Sequence, residues 1–145
     1  MSSFTISIDI NAPPDRVWAV MSDVEHWHEW TPSVTSIKRL DSGPFAVGSR
    51  LLIRQPKFPP AMWKITAIEP GRGFSSASGM PGLHVFAHHR IEKTTLGSRA
   101  TLALDYDGFL GDLLARMTKD ITDRYIGLEA RGLKARSENP AYRHS

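Results

Sequence analysis

Residues 4–10 alternate without a break: Phe4, Ile6, Ile8 and Ile10 fall on one side, Thr5, Ser7 and Asp9 on the other. A period of two predicts a half-buried strand. Ala12-Pro13-Pro14-Asp15 comes next; proline is tolerated in a first helical turn, and an acid there complements the helix dipole. Val17, Trp18, Val20 and Met21 then predict a short amphipathic helix. Ser22-Asp23-Val24-Glu25 has the form of a capping box, which predicts a second short helix carrying Trp27 and Trp30 and closed by Thr31-Pro32.

From about 33 to 108 the pattern is strand-like. Segment 34–41 is ambiguous in period. Segments 48–56, 61–68, 73–78, 83–92 and 99–107 read as strands separated by short Gly/Pro turns, the signature of an antiparallel meander. Segment 83–92 places Leu83, Val85, Ala87, His89 and Ile91 on one face, with His84, Phe86, His88, Arg90 and Glu92 on the other. The end of the chain changes period. Leu110, Leu114, Met117, Ile121, Tyr125 and Leu128 recur at three- and four-residue spacing, predicting one helix over 109–136 with a single apolar stripe. Gly127 and Gly132 each cost such a helix about 1 kcal/mol against alanine, and serve either to permit close packing or merely to loosen its end. Asn139-Pro140 stops it, leaving 137–145 as a flexible tail.

One strand, two short helices, about six strands and one long helix make a single α+β domain with a core at about 4–136. An antiparallel sheet with one apolar face must cover that face. The only element long enough is the C-terminal helix, at about 40 Å. A curved sheet of about seven strands wrapped around one helix leaves space wherever side chains do not meet, and such spaces favour apolar ligands.

Composition narrows the possibilities. The 145 residues suit one domain, and 41% hydrophobic content supports a real core. The absence of cysteine excludes disulfides, a thiol nucleophile and Cys-based metal centres. Neither a signal-peptide pattern nor a run of about 20 apolar residues occurs, so a cytoplasmic protein without membrane insertion is expected. The net charge is +3. Residues 131–145 alone hold Arg131, Lys134, Arg136 and Arg143 against Glu138, which reads as a solvated basic helix end. No basic–aromatic stripe accompanies it, so no nucleic-acid partner is expected.

Three passages make the chain recognisable: Ala12-Pro13-Pro14-Asp15-Arg16-Val17-Trp18, Asp23-Val24-Glu25-His26-Trp27-His28-Glu29-Trp30 and Tyr125-Ile126-Gly127-Leu128-Glu129-Ala130-Arg131-Gly132-Leu133. The chain resembles the START-like (SRPBCC) superfamily, in its polyketide cyclase/dehydrase-type branch, over essentially the whole domain. The resemblance implies a helix-grip (START/Bet v 1-like) fold with a deep apolar cavity between sheet and C-terminal helix. It also implies that ligands bind there without a metal or organic cofactor. The superfamily hosts lipid carriers, hormone receptors and aromatic cyclases, so fold does not settle function.

His89 is the polar member of an apolar strand face and is the first candidate to hold a ligand or act as general acid/base. A core histidine satisfied by a carbonyl or water is its plainer alternative. Tyr106, at the end of the inward face of the last strand, is the second candidate; Gln55 is a third polar group. Trp63, Ile65, Phe74, Leu102, Leu104, Met117 and Ile121 are expected as apolar walls. Trp27 and Trp30 read as packing residues or as the lining of an entrance, and Pro56-Lys57-Phe58-Pro59-Pro60 as a loop or a lid. His26 and His28 point apart on a helix, His88 and His89 apart on a strand, so no metal site is expected. No G-x-S-x-G surrounds any serine. Two functions therefore compete: a carrier or sensor of a hydrophobic small molecule (lipid, isoprenoid or polyketide-like aromatic), and a cofactor-independent cyclase or dehydratase using His89 or Tyr106 for proton transfer. Either is expected to act as a monomer or homodimer.

Overall fold

The N-terminal alternation forms β1 (Ser2–Ile10), at one edge of a single antiparallel sheet, in the computed structural model, which describes residues 2–139. Helix α1 (Pro14–Ser22) follows, with Pro14 in its first turn and Val17, Val20 and Met21 buried. The second short helix is a 3-10 helix, Val24–Glu29. Its expected capping box does not form. Ser22 Oγ donates back to the Trp18 carbonyl, and the Glu25 carboxylate accepts the N–H of Arg39 instead. A back-bond within α1 takes the serine and a tertiary partner takes the glutamate, so the local cap is outcompeted on both sides.

The remaining strands are β2 (Ser36–Arg39), β3 (Arg50–Arg54), β4 (Ala61–Glu69), β5 (Gly73–Met80), β6 (Leu83–Thr94) and β7 (Gly97–Asp107). The sheet order is β1-β7-β6-β5-β4-β3-β2. The ambiguous segment 34–41 thus supplies the second edge strand, with Ile37 opposite Ile53. The registers Phe4↔Leu104, Leu102↔His89, His89↔Phe74 and Leu51↔Trp63 place all of these residues on the inner face.

The predicted single long helix is two helices, α2 (Gly111–Met117) and α3 (Lys119–Glu138). At the junction Thr118 donates its Oγ1 back to the Leu114 carbonyl, a side-chain bond that bends helices. The sheet contact is also rotated from the predicted stripe: α3 buries Thr122, Ile126, Gly127, Ala130, Leu133 and Ser137. Of the expected stripe, Ile121, Tyr125 and Leu128 are half-buried, while Met117 is 71% exposed and is no part of an interior wall. The register is shifted because small side chains let the helix approach β1 closely. The chain end is pinned as well. The Asn11 N–H and Lys134 both bond Glu138, holding its carboxyl below the ordinary range, chiefly through the Asn11 bond. Arg136 bonds Glu29, so much of the basic C-terminal charge is tied to the body of the domain. Of the segment expected as a flexible tail, Ser137 and Glu138 are the last residues of α3, and residues 140–145 lie outside the described residues.

The two glycines left open by the sequence separate here. A Cβ on Gly132 would come within 2.0 Å of the Trp30 carbonyl oxygen, whereas one on Gly127 meets only the mobile end of Arg131 at 3.0 Å. Gly132 is the contact point of α3 with the segment after the 3-10 helix. Gly132→Ala is therefore expected to lower the unfolding free energy by about 1–3 kcal/mol despite its better helix propensity. Gly127→Ala is expected to raise it by up to about 1 kcal/mol. Urea melts of the two variants check this.

Candidate functional site

The inner face divides into two halves. Beneath α1 and the 3-10 helix, Ile10, Leu51, Ile65, Phe74, Ile91, Ala100 and Leu102 are buried and packed with Val17, Met21 and Trp27 into a solid core. Toward the other end of the same strands, Phe4, Ile53, Trp63, Val85, Leu104 and Tyr106 face inward yet stay only half-buried. Solvent reaches them because α3 lies along β1 and leaves the middle of the sheet open. Tyr125 bridges the gap: its hydroxyl donates to the Pro56 carbonyl, and its ring meets the edge of Phe58 at 5.8 Å. The 56–60 segment is thereby tied to α3, with Lys57 held at φ 68°.

His89 stands at the boundary between the two halves, opposite Leu102 on one side and Phe74 on the other. Its ring stacks on Phe74 at 4.5 Å and 13°, and Trp27 approaches it edge-on at 5.2 Å. Nε2 lies 3.1 Å from Glu129 Oε2, and the two side chains are only 9% and 18% exposed. An ionised carboxylate accepts but cannot donate, so Nε2 carries the proton of this bond. Nδ1 is then the free end of the imidazole, and it is buried with no partner. A histidine oriented by a carboxylate through one nitrogen can take up or release a proton at the other.

Glu129 is not singled out by the apolar stripe of the C-terminal helix, which passes it by. The available signal was its place four residues after Tyr125, which puts both on one helix face. Tyr106, the other catalytic candidate, is not brought to His89. It lies four residues beyond Leu102 along β7, roughly 13 Å away at strand rise. Its hydroxyl is 3.4 Å from Thr122 Oγ1, and its ring packs edge-on against Phe4. Gln55 donates to the Ser33 carbonyl. Of the expected walls, Trp63, Leu104 and Ile121 border the open half, while Ile65, Phe74 and Leu102 belong to the solid core. Trp27 is also core, with its Nε1 donating to the Met21 carbonyl.

His88 faces the other way, as strand alternation requires. It links Ser75 Oγ at 2.9 Å and Asp105 Oδ2 at 3.2 Å across three strands. The order Ser–His–Asp invites a hydrolase reading. However, the backbone N–H groups of these central strands are committed to the ladder, leaving no donors for an oxyanion. This chain is a cross-strand polar ladder on the outer face. Among the described residues there is no cluster of three metal-ligating side chains, and no helix is long and apolar enough to cross a membrane.

Residues 1–138 match the family described as polyketide cyclase / dehydrase and lipid transport, and the chain belongs to that family. No curated protein matches the sequence. Solved structures share its fold. The Zhui aromatase/cyclase from a Streptomyces species superposes with a TM-score of 0.76 at 15% identity, over 94% of this chain and 93% of the other. XoxI from Bacillus cereus gives 0.77 at 11% identity, over 99% and 100%. Ara h 8.0201 gives 0.71 at 16% identity, over 94% and 97%. The helix-grip architecture is thus common to proteins of divergent sequence.

The aromatic packing around His89 carries a measurable consequence. Phe74→Ala, which removes the one ring that stacks on His89 and is set against Trp18, Trp27 and Phe45, is expected to cost about 3–5 kcal/mol of stability. Tyr106→Phe, which loses only a long bond beside a partly open groove, is expected to cost under about 1 kcal/mol. Equilibrium denaturation at constant m-value distinguishes the two.

Proposed function

We propose that this protein binds a hydrophobic small molecule, such as a lipid, isoprenoid or polyketide-like aromatic, in the groove between the open half of the sheet and α3. The observation that carries this reading is the inner-face set Ile53, Trp63, Val85 and Leu104, apolar yet incompletely covered. Apolar surface left reachable by water gains about 25 cal/mol per Å² when a ligand covers it. The family description, which joins cyclases and dehydrases with lipid transport, agrees with that chemistry. His89 supplies the polar contact that fixes the ligand's orientation. The reading requires neither a metal nor an organic cofactor, and it suits a cytoplasmic monomer or homodimer.

A second reading is favoured by one specific observation, the His89–Glu129 pair. In a cofactor-independent cyclase or dehydratase, the groove would fold a poly-β-ketone so that its reacting carbons meet. His89 would take a proton from carbon flanked by carbonyls and return it to a departing hydroxyl, while Glu129 stabilises the imidazolium formed between. Tyr106 is too far along the sheet to share that proton transfer.

Leu104→Trp is expected to fill the groove and weaken an apolar fluorescent dye by at least about tenfold while the protein stays folded. Unchanged dye affinity in a folded variant would place the binding site elsewhere. His89→Ala separates the two functions. For the carrier it weakens ligand binding and no turnover is seen in either form; for the enzyme it abolishes conversion of a bound polyketide while affinity hardly changes. Native mass spectrometry of protein from its own host identifies the co-purified molecule.

A further inference from the structure

We infer that the groove selects a neutral, hydroxyl-bearing apolar molecule and rejects carboxylates, and that Glu129 sets this choice. The inference rests on the ligand-binding reading and names the chemical class that reading leaves open. It begins with what the groove lacks. Among the inward positions of β1, β3, β4, β5, β6 and β7 the only lysine or arginine is Lys93, which is exposed at the far end of β6, opposite Ser98 and four residues beyond His89. The inward cation of β2, Arg39, lies opposite Leu51, which belongs to the solid core. Its two terminal nitrogens are spent on the carbonyls of Gly43 and Pro44. From α3 the groove receives Tyr125 and Glu129, and Arg136 further along is bound to Glu29. Among the described residues the ionisable pair at this inner face is therefore His89–Glu129, neutral if the imidazole is protonated and negative if it is not.

A ligand carboxylate entering this space meets at most an imidazolium already paired with Glu129, and so leaves the site with an excess negative charge beside that carboxylate. Taking an anion out of water without a partner is strongly unfavourable, and like charges repel more in a low-dielectric interior. A hydroxyl meets the opposite situation. Nδ1 of His89 is buried and unpartnered while Nε2 is occupied by Glu129. A neutral Nδ1 accepts a hydrogen bond and a protonated one donates. An alcohol, phenol or enol satisfies both states, because its oxygen donates and accepts. A carbonyl satisfies only the protonated state. The hydroxyl is thus the ligand group that fits this nitrogen regardless of its proton.

Titration of the full chain at neutral pH with 2-naphthol, 2-naphthoate and 2-methoxynaphthalene tests the inference, with ring fluorescence as the readout. The three share one apolar body and differ in the polar group. The naphthol is expected to bind at least about tenfold tighter than the naphthoate, with the methoxy compound weaker than the naphthol. In Glu129→Gln, whose amide oxygen can still accept the Nε2–H bond, the penalty on naphthoate is expected to shrink by about tenfold. Equal affinities for naphthol and naphthoate in the native protein would overturn the inference and leave the binding reading intact. A penalty that persists unchanged in Glu129→Gln would remove Glu129 as its cause and overturn the inference as well. Failure of all three probes to bind the folded native protein would overturn the binding reading itself. Should Glu129→Gln fail to fold, the native comparison still decides the selectivity.

Discussion

The whole structure depends on a mismatch of widths. Seven strands at about 4.8 Å spacing span nearly 30 Å, whereas one helix with its side chains is about 10–12 Å across. A single helix cannot cover such a sheet. This chain divides the task. Helix α1 and the 3-10 helix close one end with Val17, Val20, Met21 and Trp27, and α3 lies along β1 through Thr122, Ile126, Ala130 and Leu133. The centre of the other end is left to half-exposed apolar side chains. The groove follows from that geometry and needs no specialised motif to create it.

At the boundary between the packed and the open half, the buried His89–Glu129 pair is the costly feature. An isolated buried carboxylate or imidazolium is unfavourable, and a buried pair repays its desolvation only with good geometry and satisfied hydrogen bonds. Here one bond is made and Nδ1 is left without a partner. A side chain selected only for stability would be apolar at position 89, like its neighbours Ala87 and Ile91 on the same face. The unfilled bond is the one that the proposed ligand contact would use. The adjacent His88 shows the contrast: on the outer face it makes both its bonds, to Ser75 and Asp105, and is fully explained by the strand ladder.

Much of this was legible from local pattern. The strand alternation, the two short helical segments and the helical C-terminus appear where the periods of two and 3.6 place them, and the inward orientation of His89 follows from its strand alone. The apolar residues Trp63 and Leu104 were likewise placed on the right face. Less legible were the features in which distant segments compete. The capping box at Ser22–Glu25 was a sound local motif, but Arg39 reached Glu25 from another element. Met117 fitted the helical stripe by spacing, yet the bend at Thr118 separates it from the α3 surface that meets the sheet.

What the sequence determined by itself was most of what neighbours within a turn or a pleat set: which stretches are helical or extended, and which side of a strand each residue occupies. These follow from backbone periodicity, which is local. Only the tertiary structure decided how α3 is rotated on the sheet, which half of the inner face is covered, and that Glu129 meets His89 across forty residues of chain. Those depend on how closely two surfaces approach. The small residues of α3, above all Gly132 against the Trp30 carbonyl, set that approach through contacts no sequence period encodes.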